Sequence, residues 1–187
     1  MVSKDRALVT LGCCLVVSWI KFGVILLSSV SLVVAAVKIP ETDLPLRQLA
    51  AWEANPTVRV CSNTPISRNR VEESLQFWRD LGYEFGSIIY GDHTDWCYGD
   101  SYLGSIVIMP NQTPFNSKIL AQTKRIAYNK LIVGAKIEIR SDSYERPLLL
   151  EHELGHALGW PHHNVRGHIM HKTLPLSGPN SFGLKSS

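Results

Sequence analysis

His152-Glu153-Leu154-Gly155-His156-Ala157-Leu158-Gly159-Trp160-Pro161-His162 is the stretch from which the rest of the chain can be read. Residues four apart on a helix share a face, so a helix through this string presents the His152 and His156 imidazoles to one point. Glu153 is turned by about 100° from His152, which lets it reach a water held at that point without being a ligand itself. Gly159 suits the left-handed conformation that ends a helix. The chain can then turn back and bring up His162 as a third nitrogen. Three protein ligands leave a fourth position for water, the arrangement of a catalytic zinc. There the metal lowers the pKa of its water toward about 7, and Glu153 stands where a general base is needed. A zinc site with a purely structural role has no use for Glu153. His163 adjoins His162, but the spacing selects His162 as the ligand.

Working outward, Ile132–Arg140 alternates with a period of two and predicts a half-buried strand ahead of the helix. Between them, Asp142 and Glu145 form a capping-box-like helix start, with Pro147 tolerated in the first turn. Ile119–Lys124 shows a weaker alternation, and Tyr128-Asn129-Lys130 reads as a turn. Further upstream, Val58–Cys61, Phe85–Tyr90 and Ser105–Met109 read as strands, the last stopped by Pro110. Ser67 is placed as an N-cap, Val71, Leu75 and Trp78 share one helical face, and Gly82 ends that helix. Asp92-His93-Thr94-Asp95 reads as a polar turn, not a metal loop, and Trp78 and Trp96 as core residues. Strand, helix, several strands, helix describes a small α/β or α+β domain over residues 57–187, and α+β is the class expected. It predicts a small mixed twisted sheet with an active-site helix and one further helix.

The chain has 187 residues and a formal net charge of +3, which suits one domain with an appendage. Lys and Arg are scattered among acids, so no nucleic-acid partner is implied. Residues 7–37 are apolar with Lys21 as their one charge, and Lys4 and Arg6 precede them. A basic start before an apolar run reads as a signal peptide or a membrane anchor. Val34-Ala35-Ala36 offers a cleavage site after Ala36; cleavage and retention both remain open. The expected localisation is exported, secreted or membrane-anchored, with the domain outside the cytoplasm. Residues 38–56, with Pro40, Pro45 and Pro56, read as a linker. Cys13 and Cys14 fall in the apolar run. Cys61 and Cys97 are then the pair left for a disulfide in an oxidising compartment, the alternative being two separate buried thiols.

His152–His162 resembles the extended zinc signature of the metzincin metallopeptidases, and Gly167-His168-Ile169-Met170 resembles their methionine turn. The spacing from His162 to Met170 is similar to that of the matrixins, the matrix-metalloproteinase-like family. The resemblance implies a zincin-like fold and a zinc-dependent metalloendopeptidase that hydrolyses peptide bonds. It implies one catalytic Zn2+ on His152, His156 and His162, Glu153 as base, and Met170 beneath the metal as a hydrophobic floor. It further implies a protein or peptide substrate bound extended along an edge strand near Ile119–Arg125. A structural Ca2+ or a second Zn2+ is left undecided.

The departures from the family are specific. There is no cysteine-switch propeptide, and His163 stands where members often carry Ser. His171-Lys172-Thr173 replaces the residues that shape the matrixin specificity pocket, so specificity does not carry over. The tail, with Pro175, Gly178 and Pro179, has no helical period. His168 and His171 read as surface residues or supports of the ligands. Two other functions share these residues: a zinc hydrolase of non-protein amides such as cell-wall crosslinks, and a non-catalytic metal-bearing binding module. The second has no need of Glu153.

Overall fold

A computed structural model describes residues 46–93, 97, 99 and 102–185. Its strands are Ala51–Trp52 (β1), Thr57–Cys61 (β2), Ile88–Asp92 (β3), Ser105–Pro110 (β4), Ala121–Tyr128 (β5) and Leu131–Ile139 (β6). They form one six-stranded sheet in the order β1-β6-β4-β2-β3, with β5 also on β6. Among these described strands only the β5–β6 pairing is antiparallel, so this is a mixed sheet of mostly parallel strands. Asn129 and Lys130 both have positive φ, 50° and 67°, as a two-residue turn between twisted antiparallel strands requires.

Two helices, Arg68–Arg79 (α1) and Leu149–Ala157 (α2), share one core with the sheet. Val71, Leu75 and Trp78 of α1 and Leu150, Leu154 and Ala157 of α2 pack with Val58, Val60, Ile106, Ile108 and Ile137. A second cluster contains Cys61, Cys97, Tyr102, Val107 and Met109. Cys61 and Cys97 form a disulfide with Cα atoms 5.7 Å apart.

That second cluster corrects the expectation of a half-buried β6. From Gly134 onward, Ala135 to Ile139 are all buried, as befits a strand paired on both sides and covered on both faces. Its polar residues are satisfied locally. Lys136 Nζ donates to the Gly99 carbonyl at 2.8 Å and lies 5.0 Å from the Tyr102 ring centre. Glu138 pairs with Lys124 at 2.9 Å.

Ser67 caps α1, its Oγ accepting from Arg70 N at 3.2 Å. Glu145 does not start α2. Its carboxylate accepts from Ser67 N at 2.7 Å, which is the task of the third helical residue in a capping box, performed here from 78 residues away. Asp142 pairs with Arg140 at 2.6 Å instead. α2 begins behind Leu148, whose φ is 63°, with no side-chain cap.

Other boundaries also move. The strand read at Phe85–Tyr90 lies at Ile88–Asp92, because Gly86 N is drawn to the Pro56 carbonyl at 2.9 Å. The segment read as a linker is packed over its described part, since Ala51 and Trp52 pair with Leu131 and Ile132. The leader or anchor, Cys13, Cys14, Thr94, Asp95 and Trp96 lie outside the described residues. Within them, Asp92 is buried and pairs with Arg59 at 2.8 Å, and no helix is long and apolar enough to cross a membrane. After Met170 the described helical structure is a 3-10 turn at Leu174–Leu176.

α1 and α2 are joined by a buried ion pair. Arg70 Nη1 and Nη2 donate to Glu151 Oε1 and Oε2 at 2.7 and 2.5 Å, and Trp78 Nε1 donates to the Glu151 carbonyl at 2.9 Å. Removing one partner of such a pair leaves a buried charge uncompensated. Glu151→Ala should therefore lower unfolding free energy by about 3–5 kcal/mol in urea denaturation. A loss below about 1 kcal/mol would show that the pair does not hold the helices together.

Candidate metal centre

α2 carries His152, Glu153 and His156, and two glycines set its position. A Cβ on Gly155 would overlap Met170 Sδ and come within 2.8 Å of the Trp78 ring. Glycine there lets the helix settle directly on Met170, which is fully buried. Gly159, with φ of 99°, turns the chain at the helix end, and a Cβ there would overlap the Ala50 carbonyl.

The last carbonyls of a helix lack partners within it. Here residues 48–52 supply them: Trp52 Nε1 donates to Ala157 O at 3.0 Å, Gln48 Nε2 to Leu158 O at 2.6 Å, and Leu49 N to Gly159 O at 2.9 Å. Arg125 Nη1 reaches His156 O at 2.5 Å. The stretch expected to be a linker is thus the C-terminal cap of the ligand helix.

Beyond the turn, His162 joins His152 and His156. One ligand nitrogen from each lies within 4.8 Å of the others, and His156 Nε2 is 3.0 Å from His162 Nε2. His152 Nδ1 is 2.8 Å from the Ile169 carbonyl, and His156 Nδ1 is 2.8 Å from the Trp160 carbonyl. A carbonyl only accepts, so each Nδ1 carries the hydrogen and each Nε2 offers its lone pair. Burial lowers the pKa of His152 to about 4 and of His156 to about 3, which keeps both imidazoles neutral. Burial, followed by the charges of His171 and Lys172, also lowers that of His162. Neutral imidazoles with converging lone pairs are the donor set of a bound cation, and this group can hold a metal ion.

The other histidines serve the scaffold. His163 stacks on His168 with ring centres 4.6 Å apart, and its backbone N–H donates to Met170 O at 2.7 Å. His168 is 1% exposed and His171 is also buried, so neither is a surface residue. His168 Nε2 donates to Phe182 O at 3.1 Å while its Nδ1 accepts from Met170 N at 3.0 Å. This holds the turn whose Ile169 carbonyl orients His152.

Glu153 is buried beside the histidines. Thr123 Oγ1 donates to its Oε2 at 2.5 Å. Burial raises the Glu153 pKa to about 7, against the opposing effect of the Thr123 hydrogen bond. Thr123 and Arg125 alternate along β5 and both reach α2. Sequence reading passed over both; polar residues two apart on the inward side of a strand were the available signal. His152, His162 and Glu153 open on a groove of about 700 Å³, bordered by residues 118–122 and by Lys172–Pro175. Among the described residues β5 pairs with β6 alone, so its other edge is open.

No protein-family model matches the chain, and no curated protein matches it.

Gly159→Ala meets both a left-handed backbone, costing about 1–2 kcal/mol for an L-residue, and the Ala50 carbonyl. It should displace residues 48–52, lower the melting temperature by several degrees and weaken metal binding in equilibrium dialysis. Unchanged stability and metal affinity would show that residues 48–52 do not secure the end of α2.

Proposed function

We propose that this protein is a zinc-dependent metalloendopeptidase of zincin-like fold, similar to the matrixins among the metzincins. One observation carries the reading: two neutral imidazoles oriented by backbone carbonyls, His152 and His156, converge with His162 beside a buried carboxylate at a groove with an open strand edge. A zinc ion held by His152, His156 and His162 would supply Lewis acidity and a water acidic enough to ionise near neutral pH. Glu153 takes a proton from water and returns it to the departing amine, a task suited to a carboxyl whose pKa is near neutrality. Thr123 keeps that carboxylate in place. The free edge of β5 offers main-chain donors and acceptors to an extended peptide. This favours a peptide over a non-protein amide, and a base positioned by its own hydrogen-bond donor argues against a binding module. Met170 forms an apolar floor under α2 and is not a ligand.

The Cys61–Cys97 disulfide supports an exported protein, with residues 7–37 as its leader or its anchor.

The test uses the full chain. Metal analysis should find about one zinc per chain, and casein should be cleaved. Glu153→Ala should retain the zinc and lose cleavage by on the order of 10²–10⁴-fold, the usual contribution of a general base. A zinc chelator should abolish activity and added zinc restore it. A parent protein that takes up no zinc, or a variant that cleaves like the parent, would overturn the proposal.

A further inference from the structure

Three cations line the groove: Lys118 in the lead-in to β5, Arg146 just ahead of α2, and Lys172 just after the Met170 turn. All three are exposed. Among the described residues, none of them takes part in an ion pair. The one acidic residue among the described lining of the groove is Glu153, already engaged by Thr123. The groove thus has a one-sided charge from three separate stretches of chain. Like charges gathered in a cleft repel one another, and they also concentrate field on whatever enters it.

The backbone beneath each cation is tied down. Arg140 Nη1 donates to the carbonyls of Ser117 at 2.8 Å and Ile119 at 3.3 Å, on either side of Lys118, and Lys118 N donates to Asn116 Oδ1 at 3.1 Å. Arg146 O accepts from the buried Arg70 at 3.2 Å, and Arg146 N donates to Ser143 O at 3.1 Å. Lys172 stands between His171, whose carbonyl accepts from Ser177 Oγ at 3.3 Å, and Thr173, whose N–H donates to His171 Nδ1 at 3.0 Å. Three flexible side chains therefore start from fixed points, which limits the ordering cost of a charged contact.

We propose that the groove selects peptides carrying an aspartate or glutamate side chain close to the scissile bond, and that Lys118, Arg146 and Lys172 recognise that carboxylate. The proposal rests on the peptidase reading and adds its substrate class. Lys172 lies in the segment where the matrixin pattern is broken, so the preference belongs to this chain and not to the resemblance. The cations bind and position; none is assigned a part in bond cleavage.

The zinc-loaded full chain should be given short quenched-fluorescent peptides of one backbone sequence, each carrying Glu, Gln or Lys at successive positions. Mass spectrometry locates the cut. We expect kcat/KM to fall from Glu to Gln to Lys at a position near the cut, by roughly two- to fivefold per step, the scale of exposed charge pairs. The difference should shrink at high salt, where screening shortens the reach of exposed charges. Lys172→Glu sets one new carboxylate against Lys118 and Arg146, so it should narrow the spread between the Glu and Lys peptides. Equal rates for the three peptides, or an unchanged spread in Lys172→Glu, would overturn the proposal while leaving the peptidase reading intact. If no peptide is cut, the peptidase reading fails. The charge preference is then decided by fluorescence anisotropy of the same peptides on Glu153→Gln: tighter Glu-peptide binding sustains it, and equal binding overturns it.

Discussion

α2 has nine residues, fewer than a helix needs to persist alone in water, and two of the three histidines and the carboxylate hang from it. Its stability therefore has to come from outside. At its start, Glu151 is clamped by Arg70 of α1. At its middle, Gly155 lies on Met170 and Trp78 without a side chain to hold them off. At its end, residues 48–52 and Arg125 take up the carbonyls the helix cannot satisfy. Each contact comes from a different part of the chain, so the geometry of the centre reports on the whole domain.

The same packing decides the charge state of the centre. Burial disfavours the charged form of every titratable group. For His152 and His156 that means neutral rings, and for Glu153 a carboxyl that titrates near neutrality. The two effects suit the proposed chemistry: a cation would take lone pairs from the first two residues, and proton transfer would use an intermediate pKa in the third. Backbone carbonyls at Ile169 and Trp160 complete the arrangement by fixing which ring nitrogen is free. These acceptors carry no side-chain signature, and they work only because the turn at residues 167–170 and the chain after Gly159 return to α2.

Much of this was legible in local pattern. The 152–162 string placed His152 and His156 on a shared helical face, since helical spacing is a local rule. Ser67, Val71, Leu75 and Trp78 located α1 for the same reason. The failures share another cause. Asp142 and Glu145 looked like a helix start because capping is read from neighbours, whereas Glu145 completes the cap of a helix far away in sequence. β6 looked half-buried because Lys136 and Glu138 alternate with apolar residues, yet the cluster holding Cys97 and Tyr102 and pairing on both sides leave them buried. Residues 38–56 looked like a linker because they carry prolines and charges with few β-branched residues, whereas the role of residues 48–52 as a helix cap depends on where α2 ends.

By itself, then, the sequence determined the three histidines, their spacing, the carboxylate beside them and the residues free to form a turn, because these follow from helical geometry and side-chain chemistry within eleven consecutive positions. Tertiary structure alone decided which carbonyls set the imidazole tautomers, that Thr123 holds Glu153, that residues 48–52 close α2, and which cations meet at the groove. Those depend on contacts between segments distant in the chain, where burial and hydrogen-bond satisfaction, and not local propensity, choose the partner.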